Sequence, residues 1–294
     1  MEIFQYEFMI NAFIAGILIA ILTSTLSLFV VVKRYAMLSD ALAHISLLGV
    51  AIGFLFQIST IFTAIIISII ASIMIEYLRS YKKLYSDSML SIFLSSALAF
   101  SVIIISLSNS FNTSLFDYLF GSIVAITYED ILTILIFFIL TLIFMIIYYK
   151  KLFLICFNEE IAISAGINVR LINLIFTALI GALVAISIKI IGALLIGAIM
   201  IFPVVSALCL KKGFKITWIL STLFAILGVV IGLFLSFYIS IPSGATIVIV
   251  LLSIFILTLI FSTRSRWRYF FSISFILQSV VTLSIKVMYQ LFSI

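Results

Sequence analysis

The sequence predicts an all-α, polytopic membrane protein with roughly 8–10 transmembrane helices, because apolar runs of spanning length recur along the whole chain. Of its 294 residues, 66% are hydrophobic and only 9% are charged. The runs are continuous in Ile, Leu and Phe instead of alternating with polar residues, which excludes a transmembrane β-barrel. Backbone groups in lipid must pair within the protein, so helices are the remaining way to cross.

Nine spans are predicted, with a weaker tenth near the C-terminus. They cover about 9–32, 37–56, 58–78, 88–107, 129–149, 171–188, 190–210, 215–238 and 244–263, and the weaker one lies near 270–292. Residues 1–263 are therefore expected to form one transmembrane domain. Residues 264–294 are a basic and hydrophobic segment that is either an extra span or an interfacial helix.

The net charge of +6 comes from basic residues that cluster between spans. If all clusters are cytoplasmic, as the positive-inside rule requires, an even number of spans separates each from the next, and the N-terminus lies outside. This distribution is typical of membrane insertion, and we expect no nucleic-acid partner. The outer face is then acidic, either to attract cations or as ordinary solvated loops; its acidic residues are Glu2, Glu7, Asp117, Glu129 and Asp130.

Asp40 and His44 form the most informative feature of the sequence. His44 is the only histidine in the chain, and it follows Asp40 by four residues near the start of the second span. Side chains at this spacing share one helix face, about 5–6 Å apart at Cβ, so the pair could hold one ion. Two structural alternatives remain: the pair hydrogen-bonds to itself, or Asp40 caps the start of the span.

An imidazole and a carboxylate together suit zinc and also tolerate manganese or ferrous iron. Two ligands do not complete a tetrahedral shell. Water, other spans or a symmetry-related copy would have to supply the remainder. An incomplete shell suits an ion that must leave as well as enter.

The inner connection at about 150–170 contains a second predicted element, "NEEIAISAG". Asn158 is placed to cap a short helix, Glu159 and Glu160 occupy its favourable first turn, and Gly166 lies where it would stop. Such a helix, which includes Ala162, suits a docking element on the cytoplasmic face. It could equally be an ordinary surface helix between spans.

Glycines within the later spans predict close helix packing. Gly192 and Gly197 have the spacing of a phosphate loop, but no Lys–Ser/Thr follows, so nucleotide binding is not expected. Pro203 interrupts the helical hydrogen bonds and predicts a kink. Gly228 and Gly232 form another small-residue face, and we expect packing and gating roles for these positions.

Catalysis is not expected, because the sequence contains no HExxH, nucleophile elbow or GxGxxG motif. It also contains no Walker A motif, so any ATP that drives transport would be hydrolysed by a partner. A transport subunit without a permanently bound cofactor is the predicted class. A self-sufficient, proton-coupled metal transporter using Asp40 and His44 is the alternative of a different class, and a membrane-embedded enzyme is a third.

Four blocks of the sequence resemble the metal-ion ABC importer permeases, over about residues 37–262. They are "MLSDALAHISLLGVAIGFL", "FDYLFGSIVAITYEDIL", "IKIIGALLIGAIMIFPVVSA" and "IPSGATIVIV". The block after His44, which has no proline before its glycine, is most similar to the zinc-uptake, ZnuB-like type. Permeases that carry manganese or iron are the alternative.

This resemblance implies a homodimeric channel in the bacterial plasma (inner) membrane. Its partners would be cytoplasmic ABC ATPase subunits and an extracytoplasmic metal-binding protein, with Zn²⁺ as the transported substrate. Asp40 and His44 match the positions proposed to contact the metal, and Glu159 to Gly166 match the segment that docks the ATPase. Asn158 stands where related sequences often carry aspartate. Segment 264–294 has no firm counterpart.

Overall fold

The computed structural model describes residues 5–82, 86–107, 114–122, 124 and 126–262. Within these ranges the chain forms eleven helices and no β-strand. The helices are α1 (Glu7–Val32), α2 (Ala36–Phe56), α3 (Thr60–Lys82), α4 (Ser86–Leu107), α5 (Ser114–Phe120), α6 (Tyr128–Phe157), α7 (Glu159–Ser164), α8 (Val169–Ile191), α9 (Ile196–Cys209), α10 (Phe214–Ile239) and α11 (Ser243–Ser262). The segment 264–294 and its span near 270–292 lie outside the described residues.

Eight of these helices are long and apolar enough to cross a membrane: α1, α2, α3, α4, α6, α8, α10 and α11. The all-α, multi-span prediction is therefore confirmed. Helix α9 is the exception, since its 14 residues extend only about 21 Å at 1.5 Å per residue. Irregular backbone at 192–195 precedes it and separates it from α8.

The predicted boundary between the spans 171–188 and 190–210 is wrong. Helix α8 continues to Ile191, and the chain breaks at Gly192, whose φ of 92° is accessible mainly to glycine. The break is held by α5, because the backbone N–H groups of Ala193 and Leu194 donate to carbonyls of α5 at 2.8 and 3.2 Å. A Cβ at Gly192 would lie 2.3 Å from one of those carbonyl oxygens.

The predicted inner loop at 150–170 is wrong for residues 150–157, which extend helix α6. Leu152 and Ile155 are buried, so the apolar face of α6 continues past Lys150 and Lys151. The Lys151 ammonium lies 5.4 Å from the centre of the Tyr148 ring, which accommodates that charge on the helix. The irregular part of the connection is therefore much shorter than the sequence suggests.

Helix α2 packs closely against α3, and small residues make that possible. A Cβ at Gly49 would lie 2.5 Å from the Ala64 Cα, and one at Gly53 would lie 2.8 Å from the Thr60 Cα. Backbones can approach this closely only where a side chain is missing. Helices α4, α8 and α9 also contact α2, so most of its surface is buried.

The basic connections meet at one end of the bundle, as the positive-inside argument requires. Lys33, after α1, donates to Asn173 of α8, and Arg79 of α3 lies 3.7 Å from Glu159 of α7. These contacts place the end of α1, the end of α3, helix α7 and the start of α8 at one end of the bundle. By the positive-inside rule this basic end is expected on the cytoplasmic side, with the start of α1 on the outer side.

Candidate metal site on helix α2

Asp40 and His44 lie on one line along helix α2. From Asp40 to Ile52, the positions that are not buried are 40, 44, 48 and 52, at a strict spacing of four residues. Residues four apart are neighbours on a helix surface. The two polar side chains therefore share the single face of α2 that the described helices leave partly open.

Asp40 does not cap helix α2, so that alternative is wrong. The N-cap is Tyr35, which makes no capping hydrogen bond with its side chain, and Asp40 lies more than a turn inside the helix. The pairing alternative also fails in this structure. Among the described residues, no hydrogen bond joins Asp40 to His44, and the Nδ1 atom of His44 is buried without a partner.

The other polar side chains of this part of α2 are satisfied within the helix. The Ser39 hydroxyl donates to the Ala36 carbonyl at 2.8 Å, and the Ser46 hydroxyl donates to the Leu42 carbonyl at 2.7 Å. Buried polar atoms normally find partners, so the unpartnered imidazole nitrogen stands out. A neutral imidazole can bind a metal ion through either ring nitrogen, and the buried Nδ1 would have to turn toward the open line to do so.

Helix α9 positions the Asp40 carboxylate through Gly197. A Cβ at Gly197 would lie within bonding distance of the Asp40 Oδ1, so this glycine leaves the space that the carboxylate occupies. We predicted packing and gating roles for Gly197 and no contact with Asp40, because nothing in the local sequence links the two residues. Its place beside the candidate ligand is information that the helix packing supplies.

Two ligands from one chain do not form a complete metal shell. Among the described residues there is no group of three or more His, Cys, Asp or Glu side chains that could hold a metal ion. Asp40 and His44 can therefore contribute two of the ligands of a four-coordinate zinc ion. The remaining ligands would come from water or from a second copy facing the same open line.

For the other glycines and the proline, the structure shows where they pack but does not test every predicted role. A Cβ at Gly228 would collide with the Leu251 side chain, and one at Gly232 would lie 2.6 Å from the Ile247 Cα, so both glycines lie where α10 packs closely against α11. Pro203 is buried inside helix α9. Its kink and the gating roles stay predictions.

The predicted cytoplasmic helix is present as α7. The Asn158 side-chain oxygen accepts hydrogen bonds from the backbone N–H groups of Glu160 and Ile161, at 2.8 and 3.2 Å. Ala162 is fully buried under the helix, and Gly166, just after its end, has a φ of 77°. The local prediction of a capped helix that stops at Gly166 is confirmed, and its docking role stays a prediction.

Helix α7 and the end of α6 just before it also present exposed apolar side chains that sequence reasoning missed. Phe157, Ile161 and Ile163 are 77%, 48% and 62% exposed, around the buried Ala162. Large apolar side chains on a water-facing helix favour contact with another protein. The alternation of buried and exposed positions in so short a segment could not be read from its sequence.

At the outer end, Asp130 is not a free member of an acidic surface. Its Oδ2 accepts from the Lys189 ammonium at 2.5 Å and from the Thr127 hydroxyl and backbone N–H, each at 2.8 Å. The sequence placed Asp130 on an acidic outer face, but its negative charge is paired within the protein. Lys189, isolated in the sequence, is its partner.

Residues 5–262 match the family described as "ABC 3 transport family". The chain is 34% identical, over 90% of its length and 99% of the other protein, to the "Probable metal transport system membrane protein" of Treponema pallidum. It is 29% identical, over 87% of its length and 98% of the other protein, to the "High-affinity zinc uptake system membrane protein ZnuB" of Haemophilus influenzae. Other relatives of similar identity are named for manganese or iron transport.

The fold is similar to the solved structure of PsaBC from Streptococcus pneumoniae in complex with Fab. The TM-score is 0.77 at 28% sequence identity, over 86% of this chain and 91% of the matched chain.

Proposed function

This chain belongs to the ABC 3 transport family, whose members are the membrane subunits of metal importers, and from this premise we propose that it forms the path by which Zn²⁺ enters the cell. Asp40 and His44 would contact the ion inside the membrane. The open line of α2 that carries both side chains, with the unpartnered His44 Nδ1, is the observation that supports this role. The membrane would be the bacterial plasma (inner) membrane.

Two copies of the chain would complete the metal shell. If two α2 helices face each other along their open lines, they bring two imidazoles and two carboxylates together, which is the ligand number that zinc prefers. The protein would then work as a homodimer, with the ion held between the copies. Weak, partly shared coordination favours release on the inner side.

The energy for transport would come from a cytoplasmic ABC ATPase that docks on α7, and an external binding protein would deliver the metal. The exposed apolar side chains of α7 and the acidic start of this helix support a protein partner at this position. ATPase closure would move the helices and open the site inward. A proton-coupled transporter remains the alternative, and it would import metal without ATP.

Zinc is proposed over manganese and iron from the borderline nitrogen–oxygen ligand pair and from the zinc-type block after His44. The manganese and iron names among the relatives favour the second candidate, an importer of Mn²⁺ or Fe²⁺ by the same mechanism. Competition between the three metals for uptake, measured with the purified importer, separates the candidates. Preferential uptake of Mn²⁺ or Fe²⁺ would overturn the zinc assignment.

The metal role is tested by His44→Ala, with Leu48→Ala as the matched control on the same open line. We expect His44→Ala to abolish ATP-dependent zinc uptake into proteoliposomes while the importer stays assembled, because the only imidazole is removed. Leu48→Ala loses apolar surface but no ligand, so uptake should persist. Wild-type uptake by His44→Ala would contradict the proposal.

A further inference from the structure

A cluster of charged and polar side chains lies where five helices meet at the inner end of the bundle. This inner polar cluster consists of Lys33, Tyr35, Glu76, Arg79, Glu159 and Asn173. Its members come from the α1–α2 turn, α3, α7 and α8. The cluster therefore connects the cytoplasmic helix α7 to the start of α2, which carries Asp40 and His44.

One arm of the cluster runs from α7 through α8 to the end of α1. The Asn173 amide donates to the Glu159 Oε1 at 3.4 Å, and the Asn173 Oδ1 accepts from the Lys33 ammonium at 2.5 Å. Asn173 is only 2% exposed. Its side chain thus joins a residue of α7 to a residue of the α1–α2 turn, using both its donor and its acceptor.

The second arm runs from α7 through α3 to the first residue before α2. The Arg79 guanidinium lies 3.7 Å from the Glu159 carboxylate and donates two hydrogen bonds to Glu76, at 3.0 and 2.7 Å. Glu76 is 1% exposed, so it fixes the guanidinium from the buried side. The same guanidinium lies 4.8 Å from the centre of the Tyr35 ring, and Tyr35 is the N-cap of α2.

Placing these charges inside the protein has a cost that apolar residues would avoid. Burial lowers the pKa of the Lys33 ammonium, although Glu159 and Glu76 oppose that shift. Buried ion pairs contribute little net stability compared with apolar packing of the same shape, and a role in specifying or switching a conformation is their best-attested use. The cluster therefore calls for an explanation beyond the stability of the fold.

The two ends of the cluster reach the two functional parts of the molecule. Glu159 is the first residue of α7. Tyr35 precedes Asp40 by five residues, which is about 7.5 Å along a helix. A displacement of α7 that moves Glu159 would thus be transmitted to the start of α2 through both sets of contacts. The start of α2 lies about one and a half helical turns from Asp40.

We propose that Glu159 is the positioning residue that couples α7 to the metal site, acting through Arg79 on Tyr35 and through Asn173 on Lys33. This inference rests on the proposed function, in which α7 docks the ATPase. When the ATPase moves α7, the two arms tilt or shift α2 at its inner end, and the open line with Asp40 and His44 moves with it. Without the Glu159 carboxylate, α7 can move while α2 keeps its position.

The test compares Glu159→Ala with Glu160→Ala in the complete importer, reconstituted in proteoliposomes with its ATPase and external binding protein. Both substitutions remove one carboxylate from the first turn of α7, so the loss of charge near the helix N-terminus is matched. Glu160 is exposed, and among the described residues no hydrogen bond or ion pair is found for its carboxylate. Zinc uptake and ATP hydrolysis are measured in the same preparation.

We expect Glu159→Ala to keep hydrolysing ATP while the zinc imported per ATP falls about 5-fold or more, the lower range of typical coupling between sites. Glu160→Ala, whose carboxylate belongs to neither arm, should keep the wild-type ratio of zinc to ATP, even where weaker docking lowers the total rate of hydrolysis. A second variant, Asn173→Asp, keeps an acceptor for Lys33 but repels the Glu159 carboxylate, and it should lower the ratio in the same way. If Glu159→Ala stops hydrolysis altogether, Asn173→Asp carries the test, since it leaves α7 unchanged.

An unchanged ratio of zinc to ATP in both Glu159→Ala and Asn173→Asp would overturn the coupling role, even if their melting temperatures fall. Equal loss of ATPase binding in Glu159→Ala and Glu160→Ala, with a normal ratio in Asn173→Asp, would also overturn it, because both carboxylates would then act only in docking. The proposed function is judged separately. It fails if the wild-type importer takes up zinc without ATP or takes up none.

Discussion

At the scale of single residues, the candidate site depends on a glycine as much as on its ligands. Asp40 and His44 supply an oxygen and a nitrogen, and Gly197 supplies the space in which the Asp40 carboxylate lies. Ligands must be held by their surroundings to bind a metal well, and those surroundings influence affinity strongly. Gly197 is the part of the surroundings that helix α9 contributes.

Gly197→Ala should therefore impair the metal site without unfolding the protein. The added methyl group would collide with the end of the Asp40 side chain, which can rotate away, so the fold should persist while the ligand moves. We expect the apparent affinity for zinc, measured as the half-saturating concentration for uptake, to weaken about 10-fold to 100-fold.

Gly228→Ala is the control for this substitution. The nearest neighbour of its methyl group would be the Leu251 side chain, on a helix pair far from Asp40 in the sequence, and the cost should be one of packing. Equal effects of the two substitutions on zinc affinity would contradict the role assigned to Gly197.

The site residues that were predicted and those that were missed differ in how far apart in the sequence their contacts lie. Asp40 and His44 could be placed on one helix face from their spacing alone, since that relation is local. Gly197 beside Asp40, and Lys189 beside Asp130, are contacts between distant parts of the chain. Local patterns carry no information about which helices become neighbours.

At the scale of elements, α7 was predicted in detail because a cap, an acidic first turn and a stop glycine act within a few residues. The break between α8 and α9 was not, because Gly192 adopts its positive φ where α5 supplies the hydrogen-bond acceptors. An apolar sequence that contains a glycine is as compatible with a continuous helix as with a break. The partner of the break, α5, lies between the predicted spans 88–107 and 129–149, where no helix was predicted.

Asn158→Ala should loosen α7. Losing the cap leaves the backbone N–H groups of Glu160 and Ile161 without their acceptor, which costs about 1 kcal/mol. We expect these two amides to exchange hydrogen about 5-fold faster, as that energy implies. Less ATPase should co-purify, because the docking helix is less often formed.

Ser164→Ala is the control at the other end of α7. Its hydroxyl donates only to the Glu160 carbonyl of the same helix, at 3.0 Å on the exposed side, so its loss should leave the first-turn amides unchanged. If the two substitutions raise exchange at Glu160 and Ile161 equally, the cap does not determine the stability of α7.

At the scale of the whole molecule, charged contacts join helices at both ends of the bundle, and the candidate metal ligands lie between them. The inner polar cluster joins α3, α7, α8 and the α1–α2 turn, and the Asp130–Lys189 pair joins α6 to α8 at the outer end. Helix α8 belongs to both sets of contacts. A transporter must close one end while it opens the other, and α8 is the helix through which these two ends can influence each other.

The outer pair should show measurable coupling between α6 and α8. Asp130 and Lys189 are 12% and 17% exposed, so the pair is largely shielded from water and is worth more than a surface ion pair. We expect Asp130→Asn and Lys189→Met each to lower the stability of the purified protein. The double variant should lose less unfolding free energy than the two single losses added together, by about 1 kcal/mol or more, because its second substitution breaks nothing further.

Asp130→Asn keeps an oxygen that can accept from Thr127, so the cap of α6 survives and the double-mutant cycle isolates the ion pair. Thermal unfolding of the four proteins in one detergent measures the cycle. Additive losses would mean that the pair does not join the two helices, and that the outer end is held by the backbone contacts between α5 and the α8–α9 break.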